Sequence, residues 1–418
     1  MACWQKKLLH EWVEAGDIEL GRGDVISKND INAHPGNYPI YSSSAHNNGK
    51  FGEYAKFMFD EELITWSVDG GGNLFYRPKH KFSVTNVCGY MRIVSPSLHA
   101  RFIYYCLAEQ HEHLSFDYTL KAHPSVIRKI YSLPDISLRR QRKIARILQT
   151  IDQTIEKTQA LIEKYQQIKA GLMHDLFTRG IGSDGQLRPC REQSPELYQE
   201  TPIGWIPRGW VFASFGSKID VIDPNPSHRY PDSVDYGCPI CSTENFLGAD
   251  SFSVDTAKTV PESTFLLQNA RCQFTPDDVI FARKGKIGLA RRYGNDKKVF
   301  SHTVVVMKPL GNEVNARWLL WLARSNWLIS GIEKTMNTNL GVPTLGVEFI
   351  KKIPVPFPSL EEQKAADGAL QTITDKLDAV EKELKKLKEK KSGLMHDLLT
   401  GAVSVSVEPK EEHAVETV

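Results

Sequence analysis

The hexapeptide Gly-Leu-Met-His-Asp-Leu stands at 171–176 and again at 393–398, an offset of 222 residues. At that offset the match runs backward without a gap. Pro134 meets Pro356, Ser137-Leu138 meets Ser359-Leu360, Gln141 meets Gln363, and Leu148-Gln149-Thr150-Ile151 meets Leu370-Gln371-Thr372-Ile373. Solenoid units repeat every ~20–50 residues; this longer period is that of a duplicated half-molecule.

Within each copy the side chains follow alternating steps of four and three. The first copy reads Ile144, Leu148, Ile151, Ile155, Thr158, Ile162, Tyr165, Lys169, Leu172 and Leu176. The second reads Ala366, Leu370, Ile373, Leu377, Val380, Leu384, Leu387, Lys391, Leu394 and Leu398. This is the a/d seam of a coiled coil over about five heptads. Gln141 to Leu176 predicts a helix of about 54 Å at ~1.5 Å per residue. Alone, each helix exposes its seam; two matching helices in one chain cover each other, and pairing with a second chain is the alternative. Lys169 and Lys391 interrupt the seam at one shared position, either to set register or with the stem along the seam and the ammonium in water. Ser359 reads as an N-cap with Glu362 as its capping-box partner, whereas the first copy has Ser137 but Arg140 at the partner position.

The organisation follows. A first block spans 1–133, a helical segment 134–180, a linker 181–201, a second block 202–355, a second helical segment 356–402, and 403–418 reads as a disordered tail, acidic from Glu408. Both blocks read as mixed α/β, giving an α+β chain with strands such as 63–68 and 278–283 and short helices at 100–109 and 316–325. The two blocks do not align well with each other in sequence. A duplicated scaffold with diverged blocks points to two different readers held apart.

Bulk properties narrow the class. With 418 residues the chain holds two or three domains. No apolar run of about 18 residues occurs and the N-terminus lacks an apolar signal core, so a cytoplasmic protein without membrane contact is expected. Seven scattered cysteines fit reduced thiols. Cys238-Pro-Ile-Cys241 lacks the second ligand pair of a closed zinc site, so no metal is expected. The net charge of +2 identifies no partner, but two clusters stand out: Arg139, Arg140, Arg142, Lys143 and Arg146; and Arg283, Lys284, Lys286, Arg291, Arg292, Lys297 and Lys298. Each reads as a phosphate-neutralising patch or as a solvated basic face.

Several stretches then resemble a known family. Thr201-Pro202-Ile203-Gly204-Trp205-Ile206-Pro207-Arg208-Gly209-Trp210 resembles the opening of a target-recognition domain in the DNA-specificity subunits of type I restriction-modification systems. Phe281-Ala282-Arg283-Lys284-Gly285-Lys286-Ile287-Gly288 resembles a strand-turn of that family, and Leu360-Glu361-Glu362-Gln363 the start of its spacer helix. Trp66-Ser67-Val68-Asp69-Gly70 and Phe82-Ser83-Val84-Thr85-Asn86 look like first-domain equivalents, although the first block lacks the Ile-Gly-Trp-Ile-Pro opening. The resemblance covers nearly the whole chain. It implies two target-recognition domains, each reading one half of a bipartite asymmetric site in double-stranded DNA. It implies an intramolecular antiparallel coiled coil with pseudo-twofold symmetry between them. The implied partners are two modification subunits, which methylate adenine, and two restriction subunits, which translocate DNA. S-adenosylmethionine, ATP and magnesium would sit on those partners and no cofactor on this chain.

Reading bases needs polar groups on loops or strands, Arg or Lys for guanine and Asn or Gln for adenine. Candidates in the first block are Ser43, Ser44, Asn47, Asn48, Lys50, Asn73, Arg77, Lys121 and His123. In the second they are Thr243, Asn245, Arg283, Lys284, Lys286, His302, Asn337, Asn339 and Thr344. Trp66, Trp318, Trp321 and Trp327 read as core residues. Two alternatives stay open: a coiled-coil scaffold or adaptor without DNA readout, and a self-sufficient DNA-modifying enzyme. The second lacks its motifs. Asp223-Pro224-Asn225-Pro226 departs from the Asn/Asp-Pro-Pro-aromatic pattern, and Pro276-Asp277 is followed by Ala282-Arg283-Lys284 where a nuclease needs a carboxylate. No catalytic residue is assigned. His174-Asp175 and His396-Asp397 lie off the seam, next to Gly180 and Gly401, and read as helix ends or part of a docking face.

Overall fold

The duplicated segments fold as two helices of 41 residues each, Leu138–Thr178 and Leu360–Thr400, in the computed structural model. At ~1.5 Å per residue each is about 60 Å long. The structure describes residues 4–44, 46–69, 72–114, 122–229, 231–248, 250–255, 257–335 and 345–406; the tail beyond 406 lies outside them. The chain divides into two units, Met1–Ala160 with Glu381–Val418, and Leu161–Val380. Each unit therefore owns one part of both long helices.

Unit 1 begins with β1 (Lys6–Leu8), α1 (Leu9–Glu14), β2 (Ile18–Arg22), α2 (Lys28–Ala33), β3 (Tyr38–Tyr41) and β4 (Lys50–Tyr54). It continues with β5 (Phe59–Ser67), β6 (Leu74–Val84), β7 (Cys88–Ile93), α3 (Ala100–His111), α4 (Pro124–Ile130) and β8 (Ser132–Pro134), and enters the long helix α5 (Leu138–Thr178). Its sheet has the order β2-β7-β5-β6-β3-β4, antiparallel except for the parallel β3–β6 pair. Separately, β1 pairs antiparallel with β8.

In unit 2 a hairpin of β9 (Tyr198–Thr201) and β10 (Gly204–Pro207) is followed by β11 (Val211–Ser214), β12 (Ile219–Ile222) and β13 (Cys238–Cys241). Then come β14 (Phe246–Leu247), β15 (Ser251–Phe252), β16 (Lys258–Val260), α6 (Glu262–Cys272), β17 (Val279–Ala282) and β18 (Ala290–Arg292). The unit is completed by β19 (Val299–Phe300), β20 (Val304–Pro309), α7 (Ala316–Arg324), α8 (Asn326–Thr335), α9 (Val347–Lys352), β21 (Pro354–Phe357) and the start of α10 (Leu360–Thr400). One sheet runs β12-β20-β17-β18, a second β16-β13-β19, and β11 pairs with β21.

Blocks that do not align in sequence share a topology. The order β2-β7-β5-β6 in unit 1 and β12-β20-β17-β18 in unit 2 is the same arrangement of first, fourth, second and third strand. The antiparallel pairs β1–β8 and β11–β21 also correspond, since Pro134 faces Lys6 as Pro356 faces Phe212. The flanking strands correspond too, since β3 pairs antiparallel with β4 and parallel with the end of β6 as β13 pairs antiparallel with β16 and parallel with β19. What differs is that two short strands, β18 and β19, stand where unit 1 has the continuous β6, and that unit 2 inserts the β14–β15 hairpin and α6.

The seam is legible in the burial. Ile144, Leu148, Ile151, Leu176, Leu370, Ile373, Leu377 and Leu398 are buried, and Ile155, Ile162, Tyr165, Leu172, Val380, Leu384, Leu387 and Leu394 are half-buried. In unit 1, Ile144 and Leu148 from the start of α5 share a core with Met395, Leu398 and Leu399 from the end of α10. In unit 2, Leu176 and Phe177 from the end of α5 share a core with Ala366 and Leu370 from the start of α10. Each unit thus pairs the helices antiparallel. A fully buried Leu or Ile contributes about 1.5–3 kcal/mol, so these shared cores outweigh any cap.

The seam lysines have different partners. Lys391 Nζ is 2.7 Å from Asp152 Oδ1, and Asp152 also accepts from Tyr105 OH at 2.6 Å. Lys169 Nζ lies 5.1 Å from the centre of a Trp321 ring. Position 374, which matches Asp152 in the repeat, is a buried Thr, so the carboxylate that meets Lys391 is not repeated at that position.

Capping differs from the sequence expectation. Ser359 Oγ accepts from Glu362 N at 3.3 Å, but the Glu362 side chain does not return to Ser359. Its carboxylate accepts from Ile181 N at 2.7 Å, from Arg188 Nη1 and Nη2 at 2.5 and 3.0 Å, and from Trp210 Nε1 at 3.1 Å. A guanidinium outcompetes one backbone N–H, since charge-assisted bidentate bonds are the stronger. At the other ends Gly180 (φ +64°) and Gly401 (φ +84°) adopt the left-handed conformation that closes a helix.

The repeated glutamines brace both units. Gln141 Oε1 accepts from His99 N at 2.9 Å, and its Nε2 donates to Ser97 O and Ile136 O at 3.1 and 2.8 Å. Gln363 Oε1 accepts from Asn315 N at 2.8 Å, and its Nε2 donates to Glu313 O and Pro358 O at 3.0 and 2.9 Å. His99 and Asn315 are the N-caps of α3 and α7. One amide therefore ties a short helix to a long one, in the same way twice.

Candidate nucleic-acid interface

In unit 1 four candidates lie on the β3–β4 connection and a fifth, Lys50, opens β4. Asn47 (φ 49°), Asn48 (φ 52°) and Gly49 (φ 77°) are three successive left-handed residues. Asn tolerates this region better than most side chains, and both asparagines are exposed. Ser44 Oγ accepts from His46 N at 3.1 Å and fixes the entry to the turn. Ser43 is half-buried, and the exposed Lys50 is paired with Glu53 at 2.6 Å. Asn73 is half-buried, its carbonyl accepting from Ser67 N at 3.0 Å. His123, exposed at the start of α4, has Nδ1 3.1 Å from Ser125 Oγ. Lys121 lies outside the described residues.

Arg77 is not at the surface but beneath that turn, 1% exposed. Its Nε donates to Thr65 Oγ1 at 3.0 Å, and its guanidinium carbon lies 3.6 Å from the centre of the Tyr41 ring and 4.7 Å from that of Phe75. Among the described residues Nη1 and Nη2 have no hydrogen-bond partner. Burial lowers its pKa. A Cβ on Gly49 would come within 3.1 Å of Nη2, so the turn rests directly on this cation.

Beside the turn lies a cavity of about 360 Å³, lined by Asn48, Phe75 and Tyr76, by Arg101 and Tyr104 from α3, and by Gln149, Gln153 and Glu156 from α5. Its walls offer aromatic faces, amides and charges of both signs, a mixture suited to polar planar groups.

In unit 2 several candidates converge on the β17–β18 turn. Arg283 is buried, donating through Nε to His302 O at 2.8 Å and pairing through Nη2 with Asp223 at 2.5 Å. Thr243 is buried, and its N donates to Thr303 Oγ1 at 3.3 Å. Arg283 N donates to Thr303 O at 2.9 Å, so Thr303 joins the two segments. Asn245 is used within its own loop, accepting from Ser242 N at 2.8 Å and donating to Ser253 O at 3.0 Å. His302 stacks on His228 with ring centres 4.6 Å apart. Burial lowers its pKa, helped by His228, Lys284 and Arg283. Asn337, Asn339 and Thr344 lie outside the described residues.

Much of the second basic cluster is engaged within the fold. Arg291 and Lys298 are buried, with Lys298 Nζ donating to Tyr293 O and Asp296 O, both at 2.7 Å. Lys297 pairs with Glu262 at 2.9 Å, and Arg292 Nη2 lies 3.6 Å from Asp367. Lys284 and Lys286 remain, flanking Gly285 (φ +75°) on the turn, the former half-buried and the latter exposed. The sequence did not single out His228, exposed at φ 54° after Asp223-Pro-Asn-Pro; that Pro- and Asn-rich turn was its only signal.

Other motifs resolve into structure. Cys238 donates to Glu262 Oε2 at 3.0 Å, whereas Cys241 packs with Cys272 in a different apolar cluster. Among the described residues no three His, Cys, Asp or Glu side chains are placed to hold a metal ion, and no helix is long and apolar enough to cross a membrane. Trp66, Trp318 and Trp321 are buried, as expected of core residues, and Trp327 packs at the core edge. His396 is exposed, its Nδ1 3.9 Å from Glu109, and Asp175 lies 3.5 Å from Arg179.

A family model of the type I restriction modification DNA specificity domain matches residues 4–167 and 237–391. The chain belongs to the family of type I restriction-modification DNA specificity subunits. It is similar to the MjaVIII specificity subunit of Methanocaldococcus jannaschii, 22% identical over 386 residues, covering 88% of this chain and 87% of that one. A putative type I specificity subunit of Mycoplasma pneumoniae is 32% identical over 184 residues, covering 43% and 47%. The fold is that of the type I restriction-modification S subunit from M. genitalium, with a TM-score of 0.62 at 17% identity, covering 96% and 97% of the two chains. The two matched segments each contain sheet strands and part of one long helix, so family membership covers both readers.

Proposed function

We propose that each unit of this specificity subunit reads one half of a bipartite asymmetric DNA site, and that partner subunits carry out adenine methylation or restriction at that site. The observation that carries this reading is a common scaffold with different additions. Sheet order, edge pairing, flanking strands and glutamine brace recur in both units, whereas a short turn joins β3 to β4 in unit 1 and the β14–β15 hairpin stands between β13 and β16 in unit 2. Phosphate contacts position a protein and base contacts specify, so a shared frame with diverged loops suits two half-sites of unlike sequence. Two modification subunits using S-adenosylmethionine, and two restriction subunits using ATP and magnesium, supply the chemistry in this reading, and this chain supplies none.

The test is a map of methylated adenines in cells with and without this chain and its modification subunit. The reading expects methylation at one split sequence that vanishes without the chain. Exchanging residues 202–355 for those of a relative should change one half of that sequence and leave the other. Methylation that persists without the chain, or an exchange that alters both halves, would overturn it.

A further inference from the structure

Duplication of the scaffold does not extend to its charge. Residues 139–157 carry six cations and two carboxylates, whereas the matching residues 361–379 carry two cations and five carboxylates. The first turn of α10 holds Glu361 and Glu362, which the positive end of a helix dipole favours. The first turn of α5 holds no carboxylate; cations follow instead, against the dipole. Lys143 donates to Ser406 O at 2.6 Å, and Arg140 lies 5.6 Å from the centre of a Trp4 ring. Arg142 and Arg146 are exposed and have no side-chain hydrogen bond or ion pair among the described residues.

The short helices repeat the contrast. Arg101 and Arg317 are the second residues of α3 and α7. Arg317 Nε is 3.4 Å from Asp367, whereas Arg101 lies over the Tyr76 ring at 4.1 Å. His99 reports the local field, its pKa lowered by burial and then by Arg142 and Arg101. Behind this side, buried Arg77 rests on aromatic rings and leaves Nη1 and Nη2 unpartnered among the described residues. A buried cation left so is costly.

We propose that Arg142 and Arg146, with Arg101 beside them and Arg77 behind, form a contact for the phosphates of duplex DNA on the first half-site, and that the matching face of α10 does not. The proposal rests on the DNA reading above. Positions 142, 146, 149 and 153 share one helix face. Gln149 and Gln153 line the same cavity as Asn48, so the cationic face adjoins the turn that presents the candidate base readers. A protein partner fits this face less well. Protein interfaces centre on apolar and aromatic anchors, and no exposed large hydrophobic residue lies between 138 and 160. Phosphate contact needs only cations.

The test uses the chain assembled with its modification subunits and measures duplex affinity from low to moderate salt. For R142Q/R146Q the slope of log K against log salt should shrink by about 1.8, and affinity at 0.1 M salt should fall roughly ten- to a hundredfold, alike on duplexes with and without the site. The variant R142K/R146K should restore both, and K364Q on α10 should change neither. An unchanged slope in R142Q/R146Q, or an equal loss in K364Q, overturns the proposal. So does loss of bound modification subunits by native mass spectrometry at unchanged slope, which would make the face a protein dock. If the unsubstituted complex shows no salt-dependent duplex affinity at all, the DNA reading itself fails.

Discussion

Replacing either brace glutamine should destabilise its own unit by about 3 kcal/mol. Gln141 is 1% exposed and Gln363 is 0% exposed. Each makes three hydrogen bonds to backbone groups at helix boundaries. Gln→Ala removes all three at about 1 kcal/mol each, and any stranded group that water cannot reach adds to this. For units of this size ~1 kcal/mol shifts the melting temperature by about 2–4 °C, so each variant should melt about 6–12 °C lower. Calorimetry of the full chain would record it, with the exposed Gln153→Ala expected within ~0.5 kcal/mol as the control. Gln→Glu should be worse than Gln→Ala at neutral pH, because a carboxylate would then face two carbonyl oxygens. Its deficit should narrow in acid, as the protonated carboxyl regains a donor. If Q141A and Q363A each cost less than ~1 kcal/mol, the brace argument fails.

Gly180→Ala should be far more damaging than Gly185→Ala in urea unfolding. Both positions have positive φ, but a Cβ at 180 would run into Glu362, Arg188 and Trp210 while one at 185 meets nothing within 4 Å; about 1–2 kcal/mol of backbone strain is expected at 185 alone. A double-mutant cycle on Asp152 and Lys391, whose side chains are 26% and 32% exposed, should give a coupling of only about 0.5–1 kcal/mol, falling with salt. His99 is held below its ordinary pKa of 6.5, so its neutral form favours the fold. Stability should be lost as pH falls below about 6.5, and H99Q should flatten a urea-midpoint titration there. Inserting one heptad into α5 with a matching heptad in α10 should lengthen the gap between half-sites in a methylation map without changing either half, as spacing rules predict; an unchanged gap would remove the ruler role.

The helices were readable because their signal is local and periodic. A seam repeated every 3.5 residues needs no knowledge of the partner, and the short helices at Ala100 and Ala316 follow from apolar faces of the same kind. The shared sheet was not readable. Ser132-Leu133-Pro134 and Pro354-Val355-Pro356 pair in the same way, yet backbone ladders constrain side chains too weakly to leave a common spelling. For the candidate readers, depth was not readable. Arg77 looked like a surface cation because the residues that bury it, Thr65 and Tyr41, come from two other strands. Glu362 read as a cap because its real partner, Arg188, lies 174 positions away.

The split ownership of α5 and α10 has a consequence for biogenesis. The second unit, Leu161–Val380, is contiguous in the chain, while the first needs Glu381–Val418 to be complete. At translation rates of about 5–20 residues per second, the amino-terminal reader waits roughly 10–45 s for Met395, Leu398 and Leu399 to reach the ribosome exit. Until then Ile144 and Leu148 have no α10 to cover them. The reader made first is thus finished last. A nonsense codon near 380 would strip the core of the reader encoded at the opposite end of the gene and leave its neighbour's core intact.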